Sequence, residues 1–162
     1  MTQFKVGDHA VYPGYGVGRI DKIEVKEILG SSHEFYSIII KESGMRVMIP
    51  ATNIKSVGLR PLINIEEGHL VLEILKNKSI KIDTQTWNRR YREYMDKIKT
   101  GSVVEIAAVL RDLYVLKVEK ELSFGEKKML ETARLLLLKE LELAPEVKDY
   151  IQKDQDIKDI FN

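Results

Sequence analysis

Phe35-Tyr36-Ser37-Ile38-Ile39-Ile40 is a run of aromatic and β-branched residues broken by one serine. Such side chains fit a pleated, half-buried surface, so the run predicts a strand. Upstream, Ile23 to Ile28 alternates with period two. Ile23, Val25 and Glu27 share one face, and Glu24, Lys26 and Ile28 the other. Further back, Gly16-Val17-Gly18-Arg19-Ile20 and His9-Ala10-Val11-Tyr12-Pro13 read as two more strands. Downstream, Val47-Met48-Ile49-Pro50 follows a turn at Ser43-Gly44. Five short strands are thus expected in the first 62 residues. Strands this short bury a core only if the sheet curls, which predicts a small, strongly bent barrel.

Beyond Arg60-Pro61-Leu62 the period changes to that of helices. Asn64 with Glu67, Ser102 with Glu105 and Ser123 with Glu126 all have capping-box spacing. Thr86 to Lys99 carries Trp87, Tyr91, Tyr94, Met95 and Ile98 at helical intervals, and Gly101 suits a left-handed stop. Met129, Leu130, Ala133, Leu136 and Leu137 form an apolar stripe. Pro145 opens a last helix with Val147, Tyr150, Ile151, Ile157 and Ile160. The expected architecture is α+β: residues 1–62 as a β barrel, then residues 63–162 as a compact all-α domain of four to five helices.

Composition excludes several classes of function. The 162 residues are 44% hydrophobic and 31% charged, the balance of a folded globular chain. There is no cysteine, hence no disulfide, thiol nucleophile or thiolate metal site. His9, His33 and His69 lie far apart and show no ligand spacing. Gly14-Tyr15-Gly16-Val17-Gly18 lies between strands with no Gly-Lys-Ser/Thr after it, so it is not a phosphate cradle. Asp154, Asp156 and Asp159 lack calcium-loop spacing. No catalytic constellation, metal, cofactor or small-molecule substrate is indicated, and an enzyme is not expected. Neither a signal peptide nor a membrane span is legible, so the expected location is cytoplasmic.

The net charge of +1 conceals an uneven distribution. Residues 76–128 hold 13 basic and 8 acidic side chains, a net +5, between acidic flanks. Arg89, Arg90 and Arg92 fall within four positions, and Lys127-Lys128 open a later helix. Clustered cations of this kind are the footprint of phosphate contact, or simply a solvated face. Trp87, the one tryptophan, precedes the arginines. Two readings of it stand side by side: a core plug, or a stacking wedge beside cations. The acidic segment from Glu140 onward is expected to compete for the basic patch.

At this point the motifs resemble a family. Phe4-Lys5-Val6-Gly7-Asp8-His9-Ala10-Val11-Tyr12-Pro13-Gly14-Tyr15-Gly16-Val17-Gly18 is similar to the opening of the CarD/CdnL family of bacterial transcription regulators. Met48-Ile49-Pro50-Ala51-Thr52-Asn53, Trp87-Asn88-Arg89-Arg90-Tyr91 and Leu122-Ser123-Phe124-Gly125-Glu126-Lys127-Lys128 look like further family blocks in the right order. The opening alone also resembles the polymerase-binding module of the transcription–repair coupling factor. The resemblance implies a Tudor-like barrel that docks on the β subunit of bacterial RNA polymerase. It implies a helical domain against promoter DNA at the upstream fork of the bubble, which stabilises the open complex. Trp87 would be the wedge; Arg89, Arg90, Arg92 and Lys127 would contact DNA. Lys26, Arg46, Met48 and Pro50 would face polymerase, with Lys26 and Met48 standing where some relatives carry arginine. Two other readings compete: a polymerase-binding adaptor without DNA contact, and a basic RNA-binding module.

Overall fold

The computed structural model describes residues 4–82 and 87–162. It divides into two compact units, Met1–Leu62 and Ile63–Asn162.

The first unit is an antiparallel meander of β1 (His9–Tyr12), β2 (Gly16–Ile28), β3 (Ser31–Ile40) and β4 (Arg46–Pro50), paired in sequence order as a half-barrel. There are four strands where five were expected. The two segments read before and after Asp21 are one strand, whose register shifts between Ile20 and Lys22. A bulge there interrupts the alternation without ending the pairing, and it bends the strand. Ile20, Tyr36, Ile38, Ile40 and Ile49 fill the concave face, joined by Phe4 and Leu59. The sheet packs tightly on itself: a Cβ on Gly18 would lie 2.6 Å from Ile38 Cγ2. A reciprocal backbone pair between Val11 and Arg60, 2.8 and 3.2 Å, draws the unit's last residues against β1. β3 starts four residues earlier than Phe35. Residues 25–28 and 31–34 pair only with each other, as an exposed two-stranded ribbon.

After the short helix α1 (Ile54–Val57), the second unit is all helical. It comprises α2 (Ile65–Lys76), α3 (Trp87–Lys99), α4 (Val103–Glu119), α5 (Phe124–Glu142), α6 (Pro145–Lys153) and α7 (Gln155–Phe161). Asn64–Glu67 and Ser123–Glu126 form reciprocal capping boxes. Ser102 accepts from Glu105 N, but the return bond of that box is not made. Gly101 has φ +70°, the left-handed stop after α3. Thr86, expected to begin α3, lies outside the described residues. The core lies between α2 (Val71, Leu75), α4 (Leu110, Leu113) and α5 (Ala133, Leu137, Leu141). A buried carboxylate fixes its entry: Glu140 Oε2 accepts from Ile63 N at 2.7 Å.

The C-terminal segment differs from expectation in its number of helices. The single last helix is two, because Asp154 breaks the run and caps the second, accepting from Asp156 N at 3.0 Å. The segment is firmly packed, as its apolar stripe implied. Val147, Ile151, Ile157, Ile160 and Phe161 are buried in the core, and Arg134 donates to Phe161 O at 2.7 Å. Its acidic side chains are those left on the solvent face of packed helices. Burial of each apolar side chain contributes roughly 1.5–3 kcal/mol, and five together rival a domain's whole margin of about 5–15 kcal/mol. A chain ending at Ala144 is therefore expected to lose cooperative thermal unfolding of its helical unit by circular dichroism. A retained sharp helical transition would contradict this packing.

Candidate functional site

Trp87 stands in the first turn of α3, where helical winding puts it on the same stripe as Tyr94 and Ile98, both buried. It is half-buried, packed against the helical core and across the start of α5. A Cβ on Gly125 would come within 2.9 Å of Trp87 Nε1, so only glycine leaves room for the indole in this position. Tyr91, one turn on, meets the ring edge-on at 5.8 Å and is itself exposed. Neither reading of the sequence holds alone. One part of the indole is seated in the unit, and another part faces solvent.

Arg90 holds the indole from behind. Its guanidinium carbon lies 5.3 Å from the indole centroid, within cation–π range. Its Nη2 donates to Glu126 Oε2 at 3.2 Å. Glu126 is 1% exposed, and its other oxygen accepts from Ser123 N at 2.9 Å and Lys120 Nζ at 3.1 Å. Burial pushes the Glu126 pKa up. The bonds from the Ser123 backbone, Lys120, the Ser123 hydroxyl and Arg90 outweigh that and bring it down to about 2. Tyr94 lies beside the same cluster: burial raises its phenol to about 12, the Asp112 carboxylate adds to that, and Arg90 opposes it. Arg90, expected on the DNA-contacting surface, is thus mostly enclosed, its side chain 12% exposed. The sequence gives Arg90 the same appearance as its neighbours. Only the packing of α3 on α5, 36 residues apart, separates them.

Arg89 and Arg92 are exposed, with no ion pair among the described residues. At about 100° per residue they lie roughly 140–160° around α3 from Trp87. Though close to it in sequence, they occupy the face of α3 opposite the ring. Lys127 is exposed, with a long 3.9 Å contact to Glu121. It shares a shallow cleft with Lys128, Thr132, Leu135 and Phe124. Phe124 was not singled out by sequence. It is 84% exposed at the first turn of α5, three and four residues before Lys127 and Lys128. An aromatic directly after a capping serine was the available signal, because that position projects away from the helix it starts.

On the first unit, Lys26, Met48, Pro50 and Arg46 share the convex face of the sheet. Lys26 Nζ lies 3.9 Å from Met48 Sδ and 5.9 Å from the Phe35 ring centroid. Met48 is 42% exposed and not part of the core. Arg46 is held in place, donating to Asp21 at 2.6 Å and Ser37 at 3.2 Å. Pro50 ends β4, an edge strand of the sheet.

Among the described residues, no helix is long and apolar enough to cross a membrane. A family model described as "CarD, C-terminal domain" matches residues 70–154, and one described as "CarD-like/TRCF RID domain" matches residues 4–63. "Putative transcription factor YdeB" of Bacillus subtilis (strain 168) is 41% identical over 141 residues, 86% of this chain and 91% of that one. CdnLNt of Myxococcus xanthus, a solved structure, is 52% identical over 40% of this chain and 90% of its own, with a TM-score of 0.33. The 72-residue N-terminal domain of Myxococcus xanthus CarD, solved by NMR, is 39% identical over 36% of this chain and 79% of its own, with a TM-score of 0.32.

Glu126→Gln tests the clamp. Removing the charge takes the Glu126 carboxylate away from the mostly enclosed Arg90, a loss of about 3 kcal/mol at neutral pH by urea unfolding. Because the folded pKa of about 2 lies below the unperturbed 4.5, the wild-type contribution is complete above pH 4.5 and fades as pH falls toward 2. The variant's stability should be flatter across that window. An unchanged slope would contradict the assignment.

Proposed function

The chain belongs to the CarD family of transcription regulators, and from that premise we propose that it binds RNA polymerase and promoter DNA at once and stabilises the open complex. The CarD-like/TRCF RID class of its first unit implies interaction with RNA polymerase in general. The convex face around Lys26, Met48 and Pro50 is the docking surface for the β subunit. Exposed apolar area there is framed by cations, Lys26 beside Glu24 and Met48, and Arg46 pinned to Asp21. Edge strand β4 can add main-chain pairing.

The helical unit lies at the upstream fork of the melted bubble. Trp87 stacks at the fork, Arg89 and Arg92 meet phosphates on one side of α3, and Lys127 does so from α5. The observation that carries this reading is the half-seated indole: held from behind by Arg90, with part of its surface left for a base. An aromatic meant only for the core needs no such exposure, and one meant for stacking gains from being pre-oriented.

The magnitudes suffice without chemistry. A net +5 over residues 76–128 binds DNA weakly and without sequence preference. Attachment to polymerase through the same chain raises its effective concentration at one place. One stacked base contributes about 1–3 kcal/mol, and a differential of about 1.4 kcal/mol between open and closed states shifts their ratio tenfold. Phe124, exposed beside Lys127 and Lys128, adds a second apolar surface to the same basic cluster.

Trp87→Ala discriminates this reading from an adaptor without DNA contact. The expected outcome is unchanged polymerase affinity, a stability loss of about 1–2 kcal/mol from the seated part of the ring, and an open-complex lifetime shortened about tenfold. A loss of about 3 kcal/mol or more with unaltered lifetime supports the adaptor instead. Tight binding of structured RNA without polymerase, by gel shift at fixed salt, supports the RNA-binding module.

A further inference from the structure

Leu29 is the only non-glycine among the described residues with positive φ, +51°, and its relative exposure is 101%. It occupies the tip of the β2–β3 ribbon with Gly30, φ +80°, between the paired residues Ile28 and Ser31. A two-residue loop with positive φ at both positions is a type I′ turn, whose first place favours Asn, Asp or Gly. Leucine is doubly unfavourable there: the backbone is strained and the side chain is bare to water. Nothing in the half-barrel repays this, because the ribbon from Val25 to Glu34 is exposed along its length and packs on no core residue.

The tip is continuous with the convex face already described. Glu24, Lys26 and Ile28 alternate along one face of β2. Lys26 contacts Met48 and overlies Phe35, and Phe35 pairs with Pro50 across β3 and β4. Pro50, Met48, Phe35, Ile28 and Leu29 thus mark apolar positions from the sheet to the tip, with the pair Lys26 and His33 between Phe35 and Ile28, and Ile28 is 45% exposed. Four paired residues extend the ribbon by about 13 Å. We infer that Leu29 is an anchor that inserts into an apolar socket on RNA polymerase, so that the ribbon and the convex face form one docking surface. The inference rests on the polymerase-binding reading above and names the residue that the turn sacrifices to it.

Stability and binding should respond in opposite directions. Leu29→Asn gives the turn its preferred residue and removes the anchor. In the full chain, amide exchange of residues 25–34 is expected to slow, while affinity for purified bacterial RNA polymerase falls about tenfold. Leu29→Met keeps an apolar reach and should retain wild-type affinity. Wild-type binding with Leu29→Asn undiminished overturns the anchor and leaves the docking face standing. Absence of binding by the wild-type chain overturns both.

Discussion

A carboxylate with almost no contact with water sits behind the surface proposed to face DNA on the helical unit. Taken alone, Glu126 would be costly to bury. The α5 N-terminus, Lys120 and Arg90 together make the charged form the favoured one. Each donor comes from a different place in the chain. The backbone of Ser123 starts α5, Lys120 follows α4, and Arg90 lies one turn into α3. One side chain therefore ties three elements, and through Arg90 it also fixes the plane on which the indole rests. Remove the charge and the guanidinium loses the ion pair that helps hold it beneath the ring. Gly125 completes the arrangement by leaving that side open to the indole.

The two units use one physical device with different parts. In each, exposed apolar surface is presented beside a cation whose own position is fixed by a carboxylate: Arg90 by Glu126, and Arg46 by Asp21. The held cation supplies shape, and exposed neighbours supply long-range attraction. In the proposed reading, Arg89, Arg92 and Lys127 fill the second role on the helical unit, Lys26 on the sheet. This division explains how a chain of nearly neutral total charge can offer a basic surface at one place. It also fits the proposed shift of the open-complex equilibrium.

What the sequence made legible was local. The capping serines and asparagine, the Gly101 stop and the β-branched run at Phe35–Ile40 each act within a few residues, and each produced the element its pattern implied. The bulge at Asp21 concealed a continuous strand because one extra residue inverts the alternation while the ladder continues. Asp154 split the last helix through a capping bond that apolar spacing does not register. At the proposed site, Trp87, Arg89 and Lys127 are the residues that type alone singles out, and all three are at least partly exposed. Which of three neighbouring arginines is structural could not be read that way, because the partner that selects Arg90 is 36 residues away. Phe124 escaped notice because an apolar residue in a first turn reads as core until its neighbours are known.

The presence of a single tryptophan permits one direct measurement. Trp87 fluorescence in the full chain should be quenched by a forked promoter fragment at concentrations where the fully paired duplex of the same sequence leaves it unchanged, at the same salt. Equal quenching by both, or none by the fork, would contradict the claim that a clamped indole distinguishes separated strands from paired ones.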